Sequence, residues 1–206
     1  MKRYIKPIII ILIVGSLIGI VPKWMVSFRA KQSDVAGGMP QSDPALDRGL
    51  SPDEELARQT VVSFLAWYKN HIQEANRIPL VNQTEGEPYS VNLENGERYL
   101  RYLKSSHLLT DAYLNNWITY FKERQEAFRQ SPQSEGPPMG FDFDLVMLTQ
   151  DVDMQLAELE TVKMDEVSVI NDEAMLDFTL LDSYKFRLVR QNRRWLINEI
   201  VNQTQE

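Results

Sequence analysis

The hydrophobic pattern of the chain changes character three times. It opens on an unbroken apolar run, Ile8 to Val21, preceded by Lys2, Arg3 and Lys6. It then loses all periodicity from Gln32 to Gly49, where Ser33, Gly37, Gly38, Pro40, Ser42 and Pro44 offer little to bury. Ser51-Pro52-Asp53-Glu54 restarts it: serine at the N-cap, proline at the first helical position and glutamate at the third form a capping box, favoured by the helix dipole. From there Ala57, Val61, Phe64, Leu65, Tyr68 and Ile72 fall within an arc of roughly 100°, with Trp67 on its flank, and predict a long packing helix.

Arg77 to Asn95, with Pro79, Gly86 and Pro88, reads as loop with a short extended piece at Tyr89 to Leu93. A second helix is predicted from Glu97 to Lys104, carrying Tyr99, Leu100 and Leu103, and is interrupted by Ser105-Ser106-His107. Thr110 caps a third, Asp111 to Arg129, whose apolar face holds Tyr113, Trp117, Tyr120, Phe121 and Phe128. Ser131 to Gly140 ends the helical half; Phe141 to Leu148 is predicted as a strand and Val152 to Leu159 as a short helix.

The period then falls to two. Leu176, Phe178 and Leu180, then Tyr184, Phe186 and Leu188, then Trp195 and Ile197 alternate with polar residues. Asn171-Asp172, Asp182-Ser183 and Gln191-Asn192 are turn pairs between the runs, so Val162 to Val201 reads as an antiparallel meander. Helices followed by a sheet define an α+β domain over residues 51–202.

The first run reads as an anchor. With Trp24, Met25 and Val26 it approaches the ~20 residues that span a bilayer, Lys23 can snorkel and Trp24 suits the interface. No credible cleavage site follows: Phe28-Arg29-Ala30 has a bulky ring where a small residue is needed, and Val35-Ala36-Gly37 lies too far on. With no cysteine, lipoprotein processing does not apply. Residues 1–7 are then a basic tail, 8–26 a transmembrane signal-anchor helix and 27–50 a linker. Lys2, Arg3 and Lys6 are balanced by Lys23, Arg29 and Lys31, but a short tail places the bulk of the chain on the outer, periplasmic face of an inner membrane.

Composition narrows the partners. With 206 residues and 43% hydrophobic content the chain has enough sequence for one real core beyond its anchor. A net charge of −7 argues against nucleic acid, and the absence of cysteine excludes disulfides and cysteine-based zinc sites. Asn82-Gln83-Thr84 and Asn202-Gln203-Thr204 read as chance glycosylation signals.

Phe64-Leu65-x-Trp67-Tyr68, Leu108-Leu109-Thr110, Asp142-x-Asp144 leading to Thr149-Gln150-Asp151, and the closing Trp195-x-Ile197 resemble an uncharacterised family of bacterial envelope domains with the nuclear transport factor 2-like, cystatin-like cone. The resemblance spans about Pro52 to Val201 and implies a sheet curved around helices to leave a conical pocket. Members of that superfamily include isomerases, dehydratases, binding domains and secretion-system scaffolds. Most of the family is lipoprotein-like, and this chain departs from it in lacking the cysteine.

Candidate chemistry is sparse. There is no nucleophile elbow, phosphate loop or His-Glu-x-x-His helix, and no cofactor or metal is implied. His71 lies off the apolar arc and His107 at a helix break, both structural positions. Asp142, Asp144, Asp151 and Asp153 lack the glycine and later glutamate of a calcium loop. Asp151 could act as a base in an apolar cone, or Gln150-Asp151 could brace helix to sheet. Arg124, among Trp117, Tyr120 and Phe128, could stack on a ring and offer a fork to a carboxylate, or snorkel to solvent. Arg124, Trp117, Tyr120, Tyr68, Gln150 and Asp151 are the ligand or partner candidates. They fit a membrane-tethered, non-catalytic binding domain for an envelope protein or small ligand, with an assembly scaffold or an isomerase-like enzyme as alternatives.

The retained anchor predicts that the full chain fractionates with membranes and keeps its N-terminus. N-terminal sequencing that begins near Ala30 or Gly38 contradicts it.

Overall fold

The computed structural model describes residues 49–204. The expected anchor and almost all of the expected linker lie outside the described residues, and no helix within them is long and apolar enough to cross a membrane.

Helix α1 spans Pro52–Asn76. Its capping box forms as the sequence predicts: the Ser51 hydroxyl accepts from Glu54 N at 3.3 Å, and Ser51 N donates to the Glu54 carboxylate at 2.7 Å. The predicted apolar arc is its buried face, extended by Ala75. The loop after it contains two short strands, β1 (Val81–Asn82) and β2 (Ser90–Val91), paired antiparallel.

Helix α2 (Leu93–Lys104) starts four residues before the predicted Glu97. The Asn92 side chain caps it, accepting from Asn95 N at 3.0 Å. Gly96 lies inside the helix, where a Cβ would come within 2.8 Å of the Phe121 ring. Close approach of α2 to its neighbour requires a glycine. That neighbour is α3, Asp111–Gln130, capped by Thr110 as expected.

The expected strand at Phe141 to Leu148 does not form. The segment is a series of turns, closed by an isolated bridge between Asp144 and Thr149. The Asp144 carboxylate accepts the backbone N–H groups of Val146 and Met147, and Leu148 adopts a positive φ of 52°. Leu145, Val146 and Met147 are all buried in succession, which a one-faced strand cannot achieve. The short helix α4 (Val152–Ala157) and a 3-10 turn (Glu158–Thr161) follow. Buried Gln155 ties α4 to the sheet by accepting from Leu181 N and Asp182 N at 3.0 and 3.1 Å.

The predicted meander is present as β3 (Lys163–Ile170), β4 (Glu173–Thr179), β5 (Ser183–Gln191) and β6 (Arg194–Asn202), paired in sequence order and antiparallel throughout. Two turn details differ from expectation. β4 ends at Thr179, leaving Leu180 in the bend, and the last hairpin turns on Asn192-Arg193, both with positive φ (50° and 63°), so that Gln191 belongs to β5. Ala174, Leu176, Phe178, Tyr184, Phe186, Leu188, Trp195 and Ile197 face inward and are buried.

A bulge between Arg187 and Leu188 opposite Asn198 shifts the phase of β6, so Ile200 and Asn202 point inward after it. Asn198 itself accepts from the Thr110 hydroxyl at 2.9 Å. Beside it Leu109 bridges Ile197 in parallel, so the entry to α3 covers the outer edge of β6. Helix α1 lies against β3, β4 and β6, and α3 against α2, β2 and β6. Asn202, one of the two sequon asparagines, is 3% exposed and donates to Asp182 at 2.8 Å, so it is closed to glycosylation in the folded chain.

Candidate functional site

The irregular segment from Pro138 to Leu145 lines two clefts among the described residues. The first, about 250 Å³, is bounded by Asn76, Leu80, Gln83, Tyr99, Phe143 and Asp144 among others. The second, about 330 Å³, lies between Asn76, Asp142, Asp144, Gln150 and Val152. Asn76, Phe141, Phe143 and Asp144 line both. Phe141 also packs inward on the rings of Tyr120, Phe121 and Phe128.

Asp144 is the ionisable centre of this region. Tyr68, from the buried face of α1, donates to its Oδ2 at 2.5 Å, while Oδ1 accepts from Val146 N at 3.0 Å and Met147 N at 2.7 Å. Burial pushes the carboxyl above its ordinary value, more than those three hydrogen bonds pull it down. Around it, burial first and the carboxylate next raise the buried Tyr99 and Tyr113 hydroxyls; Tyr68 is raised by burial and by both Tyr99 and Asp144. Three internal donors tie this carboxyl to α1 and to its own loop, so most of its acceptor positions hold the turn rather than face the cleft.

Of the six residues singled out in the sequence, Tyr68 and Gln150 reach this region: Tyr68 beneath it as the donor to Asp144, Gln150 exposed at the rim of the second cleft. Asp151 is exposed at the N-cap of α4, makes no side-chain cap and is no partner of Arg124. Trp117, 2% exposed, sits edge-on to Tyr113 and Tyr120 and tilted on Phe121 within the core, so it presents no free face to a ligand. Tyr120 is buried too, and its hydroxyl donates to Gly140 O at 2.6 Å; burial pushes it up to about 12, against the lowering effect of Arg124. Arg124 is buried beside it, with its guanidinium carbon 6.0 Å from the Phe128 ring centre.

Sequence reasoning placed Asp144 in an Asp-x-Asp pair but missed its role. The available signal was the tyrosine on α1 together with three apolar residues in a row after Asp144, a pattern that fits a buried turn better than a strand. His71 is stacked on Trp67 at 4.4 Å with its Nδ1 2.6 Å from Trp67 O, a local structural contact. Among the described residues no group of acidic and histidine side chains is arranged to hold a metal ion.

No protein-family model and no curated protein matches the chain. Among solved structures, a chain in the crystal structure of the type VI native effector-immunity complex Tae3-Tai3 from Ralstonia pickettii is similar at 15% identity and a TM-score of 0.36, over 71% of this chain and 94% of that one. So loose a likeness leaves function to the geometry.

The raised carboxyl of Asp144 has a definite pH signature. A group raised in the folded state adds stability in full below its ordinary value, and that stability is lost as pH rises through the raised value. Asp144→Asn escapes the charged-state penalty, since an amide can accept the loop N–H groups and donate to Tyr68. Its stability relative to the parent should therefore be most favourable at about pH 7 and decline on acidification to about pH 4. Denaturant unfolding at both values checks this; a difference independent of pH, or one growing on acidification, contradicts it.

Proposed function

We propose that the chain is a membrane-tethered, extracytoplasmic binding domain without catalytic activity, and that a segment of a protein partner lies across the two clefts beside Phe141 to Asp144. The engagement of Asp144 by Tyr68, Val146 and Met147 is the observation that carries this reading, because it commits the buried cleft carboxyl to holding the loop. The clefts, at about 250 and 330 Å³, lie at or below the lower end of the ~300–1,000 Å³ usual for small-molecule pockets. Their exposed rims, with Asn76, Gln83 and Gln150, supply amides that suit a peptide backbone.

The tether rests on the Ile8 to Val26 run, and orientation to the outer face of the inner membrane rests on the short tail before it. A nuclear transport factor 2-like cone is supported by the helices-first order and by a meander bent at two bulges. In this chain the space between α1 and the sheet is filled by Phe64, Leu65, Tyr68, Leu176, Tyr184 and Phe186, each fully buried. That filling favours a partner at the rim over a ligand in a deep chamber. An envelope or secretion-complex scaffold would use the same surface; an isomerase-like or dehydratase-like enzyme would need an open chamber and a free base.

Photo-crosslinking in intact envelopes tests the proposal. A photoreactive residue at Asn76 or Gln150 should give a discrete adduct, and the same group at exposed Glu173 of β4 should give none. Absence of adducts at both cleft positions, or equal labelling at all three, contradicts it.

A further inference from the structure

We infer that Arg124 anchors a carboxylate-recognition site, in which a carboxylate of a ligand or partner lies against the two terminal nitrogens of its guanidinium. Helix α3 places Arg124 one turn after Tyr120 and one turn before Phe128, on its buried face, and only 7% of the residue is exposed. Gly140 closes over the side chain: with a φ of +86°, its backbone runs so near that a Cβ would fall 2.9 Å from Arg124 Nε and 2.7 Å from the Tyr120 hydroxyl. Nε is sealed there without a hydrogen-bond partner. The terminal nitrogens donate to no described residue.

The contrast with the other shielded arginines is direct. Half-buried Arg58, Arg187 and Arg190 each meet a carboxylate, from Glu55 at 2.7 Å, Glu199 at 3.1 Å and Asp53 at 2.7 Å. Arg124 is more buried than any of them and has no ion pair among the described residues. The acidic groups nearby are otherwise disposed: Glu126 pairs with Arg129 at 3.7 Å, Glu123 is exposed, and the exposed Asp142 accepts from Gly140 N at 3.3 Å.

A guanidinium keeps its charge at any working pH, and removing it from water without an opposite charge is unfavourable. Such a position gains from an incoming anion. With Nε blocked by Gly140, the edge between the terminal nitrogens is the one left to offer, and its two parallel N–H donors match the two coplanar oxygens of a carboxylate. The buried Phe128 ring, its centre 6.0 Å from the guanidinium carbon, flanks the same group. Arg124 lines neither cleft beside Asp144, and the titration that tests it does not depend on that reading.

The test uses the full chain in detergent micelles with isotope-labelled arginine. The Arg124 side-chain N–H resonance is assigned by its absence from Arg124→Lys and followed during titration with N-acetylglutamate, and separately with an acetylated, amidated tetraglutamate peptide. A saturable movement with either probe, absent with sodium chloride at matched ionic strength, is the expected result. Saturation by the amino acid as readily as by the peptide identifies a small carboxylate as sufficient, whereas much tighter saturation by the peptide points to a protein segment. Loss of the fork in Arg124→Lys should weaken carboxylate binding by roughly tenfold or more, read from the lysine ammonium resonance of a lysine-labelled sample of the variant. No saturable movement with either probe, or an equal movement with chloride or inorganic phosphate, overturns the inference. The titration of the parent chain stands even where the variant fails to fold.

Discussion

Two tyrosine hydroxyls hold the irregular segment from Gly140 to Asp144, on which the packing of the helices against the sheet depends. Tyr68 of α1 donates to Asp144, and Tyr120 of α3 donates to the carbonyl of Gly140, so two helices grip the segment at points only four residues apart. Between those points Phe141 is driven into the α3 aromatics and Phe143 is left at the clefts. Beyond them Leu145, Val146 and Met147 turn inward and close the core. Both tyrosines are buried, and a buried hydroxyl left without its partner is more costly than the bond itself is favourable.

The sheet completes this grip from the other side. The bulge opposite Asn198 reverses the phase of β6, which turns Asn202 inward and lets it donate to Leu148 O and Asp182. The same bulged residue receives the Thr110 hydroxyl, which in turn caps α3 by accepting from Tyr113 N. One extra residue in a strand therefore sets the start of the helix that carries Tyr120 and the strand end that meets the segment. At the opposite end of β5 and β6, Arg190 pairs with Asp53 and lies 4.5 Å over the Trp195 ring, joining the start of α1 to the sheet.

Wherever one local rule governed a stretch, its fold was legible. Ser51 to Glu54 and Thr110 announced helix starts through capping chemistry, and the alternation through Phe178, Tyr184 and Phe186 announced the buried face of the meander. Stretches failed to read when a distant partner decided them. The start of α2 at Leu93 was hidden by a loop-like stretch whose Gly96 is packed under Phe121, and the run after Asp144 looks like a strand until the aspartate captures its amides. The candidate site was legible only in fragments. Tyr68 and Arg124 stood out by position on their helices, but Tyr68 meets Asp144 across 76 positions of sequence, and Gly140 over Arg124 has no local signal at all.

The functional proposal rests on Asp144 holding structure rather than moving protons, and thus on the Tyr68 lock. Native-state hydrogen exchange on Tyr68→Phe addresses that lock most directly. Loss of a hydrogen bond to a charged group should release the Val146 and Met147 amides, speeding their exchange by roughly 10- to 100-fold, while the amides pairing β5 with β6 keep a clearly greater share of their protection. Unchanged exchange at Val146 and Met147, or an equal loss of protection throughout the domain, would contradict the account.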